Sequence, residues 1–261
     1  MGRSHAVTFA REGADVVLLD MCRSVDTVGY PLATPDDLAE TAALVEKEGR
    51  RCLARQGDVR DFAQVDEAVL EAKSEFGRID ILIANAGVSA GAPVQVASPQ
   101  EWQDVIATNL TGVFNSFRAV APVMVSAGYG RIVGISSMMG RGPVGGMGAY
   151  TASKWGVIGL VKSSAQDLAG FGITVNAVAP GNIDTPMIRN DWLPRKVRPD
   201  LAEPTFAAAA KFLGLLHVQP VAVLPPEDVS AAILFLVGPG AGHVTGAVLD
   251  VSAGASARVT G

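Results

Sequence analysis

The sequence predicts an α/β domain, a doubly wound, three-layer parallel sheet with helices on both faces. Three observations lead there. Short apolar runs alternate with stretches of helical periodicity, the signature of repeated βα units. Asp20, Asn85-Ala86-Gly87 and Ser137 stand at the ends of three of those runs, where open parallel sheets gather ligand-binding residues. The 261 residues, 49% hydrophobic and 18% charged, suffice for one large core and suggest a single domain over residues 1–261.

A helix-compatible stretch, Ser4 to Glu12, stops at Gly13 and feeds the strand-like run Asp15–Asp20. Pro35–Glu48 reads as the next helix: Thr34 supplies an N-cap, Pro35 suits the first turn, Asp36 and Asp37 face the positive helix end, and Gly49 stops it. The run Arg51–Val59 follows, then Phe62, Val65, Val69, Ala72 and Phe76 at helical spacing before Gly77. Strand Ile79–Ala84 comes next, and Ser98-Pro99-Gln100-Glu101 is a capping box opening a long helix to about Ala127, ahead of Gly128. Strand Arg131–Ser136, a helix from Tyr150 to Ala169, and strands Thr174–Val178 and Ala247–Val251 complete the pattern. Segment Asn182–Leu224 lacks clear periodicity and carries Pro186, Pro194, Pro199, Pro204 and Pro220. It is expected to be a long substrate-binding loop, with Met187, Trp192, Phe206 and Phe212 as wall residues.

Several function classes are disfavoured. Against 26 acidic residues stand 21 basic ones, a net charge of −5, and the basic residues form no run, so nucleic acid is not the expected partner. No apolar run approaches the roughly 18–20 residues that cross a bilayer, and no signal-like segment opens the chain, so a cytoplasmic protein is expected. Cys22 and Cys52 cannot build a disulfide framework, and His5, His217 and His243 are scattered with no zinc spacing, so no metal is expected.

Gly2 opens the first helix, and Asp20 follows at about the 20-residue distance at which an acidic residue meets the adenosine ribose in dinucleotide-binding units. One glycine and one aspartate are equally compatible with a solvated strand end. Asn85-Ala86-Gly87 is a strand-end turn on the ligand-binding side of the sheet, or simply a turn held by the asparagine. Tyr150 and Lys154 are i and i+4, so on a helix they share one face. An adjacent ammonium favours the phenolate and would pull the tyrosine pKa down from about 10, fitting the pair to move a proton at an alcohol oxygen. Ser137, at a strand end, could hydrogen-bond the same oxygen. Alone, such a pair is more often an exposed polar pair.

Together, Asp58-Val59, Asn85-Ala86-Gly87, Asn109, Ser137, Tyr150-x-x-x-Lys154 and Pro180-Gly181 resemble, in order and spacing, the classical short-chain dehydrogenases/reductases, over essentially the whole chain. The resemblance implies a Rossmann-like fold and NAD-dependent interconversion of a secondary alcohol and its ketone. It makes Tyr150 the catalytic acid/base, with Lys154 lowering its pKa and holding the nicotinamide ribose. Ser137 would orient the substrate oxygen and Asn109 would bind a water of a proton relay. Gly2 would approach the pyrophosphate, Asp58 and Val59 flank the adenine, and Asn85, Ala86 and Gly87 line the cofactor. Pro180, Gly181, Ile183 and Thr185 would approach the carboxamide, and Asp20 would disfavour the 2′-phosphate of NADP. A homotetramer is the family's common assembly.

The insertion from Val28 to Leu38, and Pro186-Met187-Ile188 with Asn190-Asp191 and Arg198-Pro199-Asp200-Leu201, resemble the mycofactocin-associated, carveol dehydrogenase-like subgroup. That implies an alicyclic or terpenoid alcohol as substrate, a non-exchangeable NAD, and a mycofactocin-type electron acceptor. Relative to the family, a first strand and most of the glycine loop are missing before Gly2. The natural protein is therefore expected to begin upstream of Met1, and the alternative to an enzyme is a non-catalytic relative that no longer binds NAD.

Overall fold

The computed structural model describes residues 1–258; the end of the domain expected over 1–261 lies outside them. All six expected strands are present: β1 (Val16–Asp20), β2 (Cys52–Gln56), β3 (Ile81–Ala84), β4 (Gly130–Ile135), β5 (Ile173–Pro180) and β6 (Val248–Val251). Every pairing is parallel, but the strands form two sheets, β1-β2 and β3-β4-β5-β6. Among the described residues nothing pairs β1 with β3.

Side-chain alternation explains the three layers. In β4 and β5, Ile132, Ile173, Val175 and Ala177 face one core with Val113, Phe117, Val120 and Met124 of α5 (Gly112–Ala127) and Val157, Val161 and Ala165 of α6 (Gly148–Leu168). Val133, Ile135 and Val178 point the other way, against Phe9 of α1 (Gly2–Arg11) and Val229, Ile233 and Leu236 of α9 (Pro226–Val237). Buried on both sides, β4 and β5 read as near-continuous apolar runs. The smaller sheet has its own cluster, in which Ala6 and Ala10 of α1 meet Val45 of α2 (Pro35–Lys47) against Val16, Leu18 and Cys52.

The helix signals act as read, with one refinement. Thr34 caps α2 and exchanges bonds with Asp37 in a full capping box, and α3 (Phe62–Phe76) ends at Gly77 in the left-handed conformation. The long helix after Ser98 is α4 (Pro99–Ile106), a π-helical turn over Ala107–Thr111, and then α5. Ser98 caps it through Glu101 N–H, but the return bond that would complete a capping box is absent from the cap.

Segment Asn182–Leu224 corrects the expectation of an unstructured loop. It contains α7 (Trp192–Val197) and α8 (Phe206–Leu216), the latter capped by Thr205. Phe206-Ala-Ala-Ala-Ala-Lys-Phe-Leu is apolar almost all round, so it has no polar stripe to betray a helical period.

Candidate active site

The carboxyl ends of β1, β3, β4 and β5 open onto one cavity of about 1940 Å³. That is about twice the upper end of ordinary ligand pockets. The excess arises because the cavity runs on between β1 and β3, whose residues Val16–Asp20 and Ile81–Ala84 both line it. Gly2, Asp20, Val59, Asn85, Ala86, Gly87, Ser137, Tyr150, Lys154, Pro180, Gly181, Ile183 and Thr185 all reach its wall.

Asp58 and Asn109 do not line that wall. Asp58 is buried in an ion pair with Arg60 (2.7 Å) and Arg23 (2.8 Å). Burial opposes its ionisation, yet the hydrogen bonds from Arg60 and Arg23 prevail and bring its pKa down to about 2. Asn109 sits in the π-turn, fully buried. Its Oδ1 accepts from Val88 N (2.8 Å), and its Nδ2 donates to Val88 O (2.8 Å) and Ser153 Oγ (3.2 Å). Both side-chain protons are thus engaged, and the amide pins the turn after β3 onto the long helix.

Tyr150 and Lys154 lie on one face of α6 as their spacing requires, with Lys154 Nζ 5.6 Å from the phenol ring centre. Lys154 is buried and donates to Ile135 O at 2.8 Å, at the end of β4. Burial lowers its pKa to about 8. Burial also raises the Tyr150 pKa, against a smaller opposing contribution from its contact with Ser137. Desolvation of the phenol thus acts against the lowering expected from an adjacent ammonium. Ser137 follows β4, and its Oγ accepts from Met139 N at 3.1 Å while its side chain meets Tyr150.

The cavity suits a dinucleotide. The N-terminus of α1 faces it, a setting that favours pyrophosphate. Asp20 Oδ1 accepts from Cys22 N (2.8 Å), fixing the carboxylate at the cavity edge as a ribose diol requires. The buried Asn85 Oδ1 has no hydrogen-bond partner among the described residues, and a Cβ on Gly87 would stand 3.4 Å from Asn109 Oδ1 and 3.5 Å from Lys154 Nζ. A bare backbone there keeps the space over Lys154 open.

The insertion and the loop helices roof this site. Tyr30 is buried, its Oη accepts from Ser89 N (2.8 Å), and its ring lies 6.2 Å from Trp192 of α7. Lys196 donates to Gly91 O and stands 4.6 Å over the Trp192 ring. Met187, Trp192 and Phe212 line the cavity, as expected of wall residues, but Phe206 does not; Arg189 stacks on it at 4.0 Å. Sequence reasoning missed Tyr30 and Lys196 as parts of the site, because their partners lie in distant segments.

The family model described as short chain dehydrogenase matches residues 1–195. A (−)-trans-carveol dehydrogenase of Rhodococcus erythropolis is 38% identical over 98% of this chain and 94% of its own length. An uncharacterized NAD-dependent oxidoreductase of Mycobacterium tuberculosis is 41% identical over 97% of this chain and 91% of its own. The crystal structure of carveol dehydrogenase from Mycobacterium avium in complex with NAD superposes with a TM-score of 0.95, at 42% identity over 97% of this chain and 92% of that one. With its three-layer fold and its Ser137, Tyr150 and Lys154 on one cavity wall, this chain belongs to the short chain dehydrogenase family.

Proposed function

We propose that the protein is an NAD-dependent alcohol dehydrogenase that interconverts a secondary, alicyclic or terpenoid alcohol and its ketone. The observation that carries this reading is the meeting of Ser137, Tyr150 and Lys154 at the end of β4, on the wall of a cavity with dinucleotide-compatible chemistry. NAD, when bound, supplies the hydride-accepting chemistry. Asp20 would hold its adenosine ribose, the α1 N-terminus its pyrophosphate, Lys154 its second ribose, and Pro180 to Thr185 its carboxamide side.

The chain's own residues do the proton work. Tyr150 Oη takes the alcohol proton during oxidation and returns it during reduction. Ser137 Oγ holds the substrate oxygen in line and stabilises charge that develops on it. Lys154, locked by Ile135 O, places positive charge beneath the phenol and favours its ionised form once the site is filled. Segment 182–224 closes over the substrate, with Met187, Trp192 and Phe212 giving an apolar wall suited to a cyclic hydrocarbon.

The roof of Tyr30, Trp192 and Lys196 supports slow cofactor exchange, and with it a mycofactocin-type electron acceptor; a cytoplasmic homotetramer is the proposed setting. The separation of β1 from β3 favours a second reading, a family member that no longer holds NAD. Calorimetric titration with NAD separates the two, and a panel of cyclic alcohols tests the first. Binding followed by reduction of the nicotinamide is expected; binding without turnover on any secondary alcohol would remove the proposed activity.

A further inference from the structure

His217 stands where the substrate-loop helices end, and the proposed mechanism leaves it unused. It is 2% exposed and directly follows α8. Its Nδ1 lies 2.8 Å from Val221 O, and its Nε2 lies 3.3 Å from both Asn182 N and Asn182 Nδ2. A carbonyl can only accept, so Nδ1 carries the proton; Nε2 is left with a lone pair facing the Asn182 N–H. Asn182 completes the joint by donating from Nδ2 to Leu213 O (3.2 Å), inside α8.

The imidazole also approaches the turn that follows β5 closely through Nε2. A Cβ on Gly181 would come within 2.7 Å of His217 Nε2 and 3.0 Å of Ser252 Cα, so only glycine admits this approach. The other side is tied as well. Arg258 donates to His217 O (2.9 Å) and to Leu215 O (2.5 Å), and Val218 N and Gln219 N both donate to Ala253 O (2.9 and 3.0 Å). Three segments distant in sequence therefore meet around His217: the turn Gly181–Ile183 at its ring, and residues 252–258 at the backbone of the end of α8.

We propose that His217 is a positioning residue that fixes the turn Gly181–Ile183, and with it the nicotinamide-facing wall of the site, by accepting the Asn182 N–H through Nε2. This rests on the NAD-dependent reading above. Gly181 and Ile183 line the cavity beside Tyr150 and Lys154, so a shift of this turn moves the surface against which the nicotinamide ring packs. An error of about 1 Å in such placement can cost on the order of 100-fold in rate. The joint also couples the loop helices to that surface, because α8 cannot move without drawing on the His217–Asn182 bonds.

The test uses the full chain with NAD and a turned-over secondary alcohol, and compares three variants. His217→Gln keeps an acceptor near the Nε2 position, His217→Asn keeps only the donor toward Val221 O, and His217→Leu keeps neither. Expected is a fall in kcat of about 10- to 100-fold in the Leu and Asn variants. The Gln variant should recover most of that loss, and the alcohol KM should change far less than kcat. Equal activity of the Gln and Asn variants, or full activity of the Leu variant, overturns the proposal. Nitrogen-15 NMR of the wild-type ring is independent of variant folding: a protonated Nδ1 with a bare Nε2 supports it, and the opposite tautomer overturns it. If wild-type protein itself transfers nothing to NAD, the functional reading has failed; the tautomer experiment then still decides the His217 joint.

Discussion

The two sheets of this molecule are built to different standards. All residues of β4 and β5 are buried between α5 and α6 on one side and α1 and α9 on the other. In β1 and β2 no residue is fully buried, and β1 turns its second edge toward the cavity. The proposed catalytic residues Ser137, Tyr150 and Lys154 belong to the first region, and the ribose-binding candidate Asp20 to the second. The proposed proton chemistry therefore stands on the fully buried sheet, while the proposed recognition of the adenosine end depends on a sheet with less core beneath it.

This contrast orders the expected effects of substitution. Tyr150→Phe removes the acid/base and should lower alcohol oxidation by about 100- to 10,000-fold with NAD affinity little changed, as steady-state rates and calorimetry would show. Ile132→Ala in β4 should cost about 2–5 kcal/mol by denaturant unfolding. Leu18→Ala, in the half-buried β1, should cost clearly less, and equal costs would erase the distinction between the sheets. Asp20→Asn should weaken NAD binding by roughly ten- to a hundredfold, the value of a hydrogen bond to a charged group, while sparing the rate at saturation.

A smaller effect concerns pH. Burial holds the His5 pKa down at about 3, well below its ordinary value near 6.5, with Nδ1 2.8 Å from Ser230 Oγ in the contact between α1 and α9. Between those values the unfolded chain binds a proton that the folded chain does not, so stability rises with pH across that window and is lost on acidification. A His5→Gln variant should show a shallower loss between pH 6.5 and 3 in thermal unfolding scans. Oxidation should also quicken as pH rises, because in the proposed mechanism Tyr150 takes the alcohol proton only in its phenolate form.

How far the sequence discloses this molecule depends on where a residue's partners lie. The six strands and the helices α1 to α6 are legible because each carries its own period or cap, as with Thr34 and Asp37 on α2 or the buried stripe of α3. The site motifs are legible because strand ends cluster at one edge of a parallel sheet, so Asp20, Asn85, Ser137 and Pro180 fall together once the strands are placed. Helix α8 is hidden by its uniform apolarity, and α9 by an apolar run too short to tell helix from strand. Asn109 is named by its motif, but its bond to Val88, like the bond of His217 to Asn182, is encoded by nothing near it in the chain.

The central claim is that Tyr150 moves the substrate proton while NAD takes the hydride in this cavity. A secondary alcohol deuterated at the carbinol carbon tests it most directly, with mass analysis of the nicotinamide after incubation with wild-type protein and with Tyr150→Phe. Deuterium on the reduced nicotinamide with wild type, and nearly none with Tyr150→Phe, is the predicted result. Equal transfer by both proteins, or none by the wild type, would contradict it.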